Sequence, residues 1–125
     1  MEGILLYNLD NAKGQQIKQL CTLLKIRFKS ISPDMYAEPI GALAGIKGVE
    51  KNNTPFTALP FTDEILLFLN FTDEALWSFL SKYREAGIEK VELKAGLTPY
   101  NLTWDSVQLR NELKKEHDEI EQNSK

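Results

Sequence analysis

The side chains of this chain best suited to chemistry are short polar groups that stand where predicted strands end. Asn8 and Asp10 follow the apolar run 4–7, and Asn70 and Thr72 follow a second run at 65–68. Ser32 ends a third predicted strand. Thr98, Tyr100 and Asn101 end a fourth, inside the segment 93–104 that holds an alternating strand, a Thr-Pro stop, an Asn and a helix start. Such amides and hydroxyls give and take neutral hydrogen bonds. They suit a small ligand or a partner's backbone better than bond making. The competing reading is that they cap helices and close turns, positions that Asn, Asp, Ser and Thr favour anyway.

Groups that make and break bonds are few. His117 is the one histidine. It shares a helical face with Leu109, Leu113 and Ile120, so a partly buried, hydrogen-bonded histidine is expected rather than a base. Cys21 lies on an apolar helix face and reads as a small hydrophobe. Being alone, it offers neither a disulfide nor a cysteine cluster. Without a second His or Cys a zinc site would need carboxylates, and none cluster suitably, so no metal site is expected. A nucleophile elbow, a Walker loop and a Gly-x-Gly-x-x-Gly turn are all missing, and Gly41, Gly45 and Gly48 are spaced for helix packing. A receiver-like phosphoacceptor would need acids where Asn8 and Asn70 stand. No cofactor is expected.

Charge narrows the partners. Acids outnumber bases 18 to 15 over 125 residues, a net charge of −3. A dedicated nucleic-acid surface ordinarily carries the opposite balance, so nucleic acid is not the expected partner. Lys25, Arg27 and Lys29 line one predicted strand, where positive charge reads as a guard on a solvated edge. No segment approaches the ~20 apolar residues of a membrane span. The first residues carry no basic region before their short apolar run, so a cytoplasmic location is expected. Asn-x-Thr triplets begin at Asn52, Asn70 and Asn101; in a cytoplasmic chain Thr72 and Thr103 read instead as helix caps.

The elements that must position these residues form two weakly similar βαβα halves, about 3–48 and 64–121, joined by a loop at 49–63 in a single domain. In the first half, Asp10 is placed to cap a helix whose buried stripe is Ile17, Leu20, Cys21 and Leu24. A half-exposed strand follows around Phe28. Tyr36, Ile40, Leu43 and Ile46 predict a second helix. In the second half, Thr72 caps a helix with Asp73 and Glu74 in its first turn and Leu76, Phe79, Leu80 and Tyr83 on its apolar face. Gly87 ends it. Val91, Leu93, Ala95 and Leu97 alternate as a strand, and a last helix runs from about 104 to 121.

The two fully apolar strands should be central and the two alternating ones should be edges. Two architectures satisfy this. One is a three-layer α/β/α fold with a four-stranded, mostly parallel sheet in the order 2-1-3-4; the other is a ferredoxin-like βαββαβ sandwich. About 30 residues with a predicted helix separate the second and third strands. That suits the crossover that a parallel sheet requires, so the three-layer reading is preferred. In a parallel sheet all the strand ends gather on one edge, with the switch point between Asn8 and Asn70.

The second half also resembles a known family. Leu93-Lys94-Ala95, Leu97-Thr98-Pro99, Asn101 and Trp104, followed by Leu109, Leu113, Glu116 and His117, look like the pattern of the bacterial domain-of-unknown-function 3783 family. Phe71-Thr72-Asp73-Glu74 and Ala86-Gly87-Ile88 resemble it too, so the likeness covers about residues 64–117. It implies a small bacterial cytoplasmic domain and brings no activity, ligand or catalytic residue.

The expected function is a non-enzymatic binding or regulatory module whose edge carries Asn8, Asp10, Asn70, Thr72, Thr98, Tyr100 and Asn101. The alternative is a small-ligand-binding protein, or an enzyme, with a site at that strand edge. The partner is a protein or a small molecule, a second copy of the chain included, and not a membrane.

Overall fold

Five consecutive apolar residues open the chain as strand β1 (Gly3–Tyr7), buried on both faces. They need cover above and below, and the computed structural model, which describes residues 2–123, supplies it from two pairs of helices. Helix α1 (Ala12–Leu23) and strand β2 (Arg27–Ile31) come next. A 3-10 turn at Pro33–Met35 and the short helix α2 (Ile40–Leu43) lead into a long loop. Strand β3 (Ile65–Leu69), helix α3 (Asp73–Glu85), strand β4 (Leu93–Gly96) and helix α4 (Ser106–Asn123) complete the order.

The sheet runs β2-β1-β3-β4. The fully apolar strands are central and the alternating ones are edges. Ile4, Leu6, Leu66 and Phe68 face α1 and α3, where Ile17, Leu20, Cys21, Phe79 and Tyr83 meet them. Leu5, Tyr7, Ile65 and Leu67 face the other way, against Tyr36, Ile40, Leu43 and Leu109. Two cores on opposite faces of one sheet make the three layers.

The sheet is mixed: mostly parallel, as expected, apart from one antiparallel pair. β1–β2 and β3–β4 are parallel, but the central pair β1–β3 is antiparallel, with Tyr7 beside Ile65 and Gly3 beside Leu69. The cause lies in the connection after β2. The helical pattern at 36–46 collapses to the four residues of α2, about 6 Å of rise, while Gly45 and Gly48 take positive φ just beyond it. The chain therefore goes out along α2 and returns as the extended loop 49–63. Glu38, buried, pins the two legs together: its carboxylate accepts from the Asn52 N–H at 2.7 Å and the Asn53 N–H at 3.1 Å. Phe61 stacks on Tyr36 at 4.4 Å. β3 thus begins on the edge where β2 ended and must run back against β1.

The helix starts differ in detail from expectation. Asn11, not Asp10, caps α1, its Oδ1 accepting from the Gly14 N–H at 2.9 Å. Thr72 caps α3 as expected, accepting from the Ala75 N–H at 3.1 Å. Thr103 caps nothing: α4 begins two residues after Trp104, with Asp105 Oδ1 accepting from the Gln108 N–H. Gly87 has φ 71° and ends α3 in the left-handed conformation.

Candidate binding groove

The antiparallel central pair divides the predicted site residues between two opposite edges of the sheet. Asn8 and Asp10 lie on one edge, where β1 and β2 end and β3 and β4 begin. Asn70, Thr72, Thr98, Tyr100 and Asn101 lie on the other, where β3 and β4 end. No switch point joins Asn8 to Asn70.

On the first edge, Asn8 has φ 58°, and its Nδ2 donates to the carbonyls of Phe61 at 3.1 Å and Asp63 at 2.8 Å. Its Oδ1 accepts from the Tyr36 hydroxyl at 3.5 Å. Asp10 is exposed beside it. Ion pairs complete this edge: Lys13 with Glu64 at 2.7 Å and Arg110 with Asp63 at 2.8 Å. His117 is partly buried, with Nε2 at 3.9 Å from Glu92. Ile120, expected to share its buried face, is exposed.

On the second edge, Asn101 is buried and closes a turn. Its Oδ1 accepts from the Thr98 N–H at 2.8 Å, and its Nδ2 donates to the Gly96 carbonyl at 2.9 Å. Thr98 Oγ1 accepts from the N–H groups of Tyr100 and Asn101, each at 3.2 Å. The joint is then stitched to the far layer: Gly41 N–H donates to the Leu102 carbonyl at 2.7 Å, and Ile40 N–H to the Trp104 carbonyl at 2.8 Å. The Tyr100 side chain stands in solvent.

The molecule opens elsewhere, along α3 and the free edge of β4. One opening of about 430 Å³ has an apolar floor of Leu66, Leu80, Tyr83, Ile88 and Val91, with Arg84, Lys90 and Lys94 around it. A second, of about 520 Å³, runs on over Phe68, Phe71, Leu76 and Gly96 and shares Leu80 and Lys94 with the first. Both sizes fall in the range of ligand pockets, ~300–1,000 Å³. No carboxylate lines the first, although acids outnumber bases in the chain; Asp73 lies at the far end of the second. Asn70 is the one predicted site residue on the groove.

Polar groups in the floor are already occupied. The Tyr83 hydroxyl donates to the Glu89 carbonyl at 2.5 Å, and burial, then Glu64 and Glu89, push its pKa up to about 12. Lys94 folds into the groove and donates to the Val91 carbonyl at 2.5 Å. Burial first, and Lys90 next, hold its ammonium below the usual lysine range. An anion in the groove would reverse that penalty.

Residues 64–120 match the family model of a domain of unknown function (DUF3783). That segment holds β3, α3, β4 and most of α4, so every residue of the groove falls inside the DUF3783 match. No curated protein and no solved structure matches the chain.

Among the described residues, no group of three His, Cys, Asp or Glu side chains is placed to hold a metal, and no helix is long and apolar enough to cross a membrane. Cys21 is fully buried on α1, and burial pushes its thiol up to about 11. Thiolate is the reactive form. Labelling by a disulfide reagent at neutral pH is therefore expected to be slow and to follow unfolding, accelerating in step with added denaturant. Prompt stoichiometric labelling of the native protein would show the thiol to be reachable.

Proposed function

We propose that this chain is a non-enzymatic binding module that engages its partner along the groove between α3 and β4. The observation that carries the reading is the groove's composition: an apolar floor ringed by Arg84, Lys90 and Lys94, with no carboxylate in the lining around Lys94 and Glu92 standing outside it, 3.8 Å from Lys90. The polar residues at the strand ends support it from the other side. Asn8, Asn11, Thr72, Thr98 and Asn101 hold turns and caps of their own fold. A ligand site at those ends would have to break these bonds, and a buried polar group left unbonded costs ~1–3 kcal/mol. The alternative, a small-ligand protein or an enzyme working at a strand edge, lacks that freedom.

A thermal-shift screen of metabolites and short peptides, followed by amide chemical-shift mapping of the binders, tests this. Binding to the folded state raises apparent stability. The mapped signals are expected at Leu80, Lys94 and Gly96. Binders that map instead to Asn8 and Asp10, or that are chemically converted, would overturn the reading.

A further inference from the structure

β4 is an edge strand, and the direction of its peptide groups follows from one bond. Leu97 N–H donates to the Phe68 carbonyl at 2.9 Å. Along a parallel pair, the residues that bond the neighbouring strand alternate. Leu93, Ala95 and Leu97 therefore turn their peptide groups to β3, while Lys94 and Gly96 turn theirs outwards. The bond from Asn101 Nδ2 to the Gly96 carbonyl agrees, because it reaches that carbonyl from the side away from β3. It also closes the ladder there. Lys94 N–H, Lys94 C=O and Gly96 N–H thus point away from β3, along the outer edge of the sheet.

The same two residues face α3, in register with Leu66 and Phe68. Lys94 brings a cation to the groove. Gly96 brings nothing: a Cβ there would meet no atom within 4 Å, and the opening of about 520 Å³ lies over it. Charged side chains often guard sheet edges by standing out into solvent, as the exposed Arg27 does on β2, where the exposed Lys29 also reaches the Leu43 carbonyl at 3.4 Å. Lys94 is folded inwards on the Val91 carbonyl and leaves its edge open.

We propose that β4 accepts an extended segment of a partner protein as a fifth strand, with an acidic side chain beside Lys94 and a large apolar one, two residues away, over Gly96. This rests on the groove reading and adds the partner's chemistry to it. The spacing follows from strand geometry, since alternate residues share a face. The acid meets Lys94, with Arg84 and Lys90 near, and the apolar side chain fills the space that glycine leaves against Phe71, Leu76 and Leu80. A second copy of the chain fits less well. Self-pairing within Leu93–Gly96 would set Lys94 against another Lys94 or into the apolar space over Gly96; Glu92, the acid two residues before Lys94, lies outside the strand, 3.8 Å from Lys90.

The test uses fluorescein-labelled peptides of threonine with one Phe and one Glu two residues apart, in both orders, titrated against the whole chain by polarisation. Saturable binding is expected for one order, and that order reports whether the added strand is antiparallel or parallel. Replacing the peptide's Glu by Lys should weaken binding about fivefold or more. Lys94→Glu should invert that preference. Gly96→Pro should melt like the parent protein, because the lost N–H points away from β3, yet lose peptide binding. If that variant does not fold, the charge inversion at Lys94 decides alone. Equal binding of acidic and basic peptides, retained binding by a folded Gly96→Pro protein, or self-association through β4 would overturn strand addition. Should these fail while screened binders still map to the groove, the groove reading stands without it; binders mapping elsewhere remove both.

Discussion

Gly14→Ala is expected to destabilise the protein by about 3 kcal/mol or more, and to do so against the usual sign. Within a helix, alanine ordinarily gains about 1 kcal/mol over glycine. Gly14 sits in the first turn of α1, and its N–H donates to the Asn11 cap at 2.9 Å. The chain arrives there from β1 through Leu9, which is itself buried, and folds tightly back over the helix start. A Cβ on residue 14 would lie 1.6 Å from the Leu9 carbonyl oxygen and 2.7 Å from its carbonyl carbon. Those are backbone atoms, so no rotamer change clears the space. Either α1 lifts from the sheet, uncovering Ile17, Leu20 and Cys21, or the turn at Asn8 and Leu9 is rebuilt. Denaturant unfolding of the two proteins measures the difference. An alanine variant as stable as its parent would show that the turn yields at little cost.

How far such features are legible in sequence depends on whether they leave a local pattern. The strand order and the central and edge roles follow from burial pattern, because a strand covered on both faces reads differently from one covered on one. The α1 and α3 stripes and the Thr72 cap are local as well. The direction of β3 leaves no such mark. Ile65–Leu69 is apolar throughout, and an apolar run reads the same in either direction. Direction was settled by the connection before it, where Tyr36, Ile40, Leu43 and Ile46 mimic a longer helix. Glu38 decides the return path from a buried position that a lone charged residue does not announce. The groove is hidden for a similar reason. Arg84, Lys90 and Lys94 come from a helix, a loop and a strand, and singly each looks like a solvated charge. Leu76 and Leu80 have the right spacing for a buried face, yet β4 is too short and its Gly96 too bare to cover them fully. Thr98 and Asn101 stand out in sequence because they build a demanding turn.

That turn gives the second large effect. Asn101→Ala is expected to cost about 2 kcal/mol, because the buried amide is the sole side-chain partner seen for two backbone groups, the Thr98 N–H and the Gly96 C=O. Thr98→Ala should cost less, about 0.5–1 kcal/mol, since its hydroxyl is exposed and water can take over the N–H groups of Tyr100 and Asn101. The difference in burial, not in the number of bonds, sets the order. The joint also ties β4 to the opposite layer through Leu102 and Trp104, so its loosening should lower the cooperativity of unfolding as well as the midpoint. Denaturant melts of the two variants measure both. The same proteins separate a joint from a site. Without Asn101 the Gly96 carbonyl is released on the open edge, where an added strand can bond it. Peptide affinity should therefore hold or rise while stability falls. An Asn101→Ala protein that melts like its parent but no longer binds the peptide would mean that Asn101 belongs to the binding surface and that the turn does not depend on it.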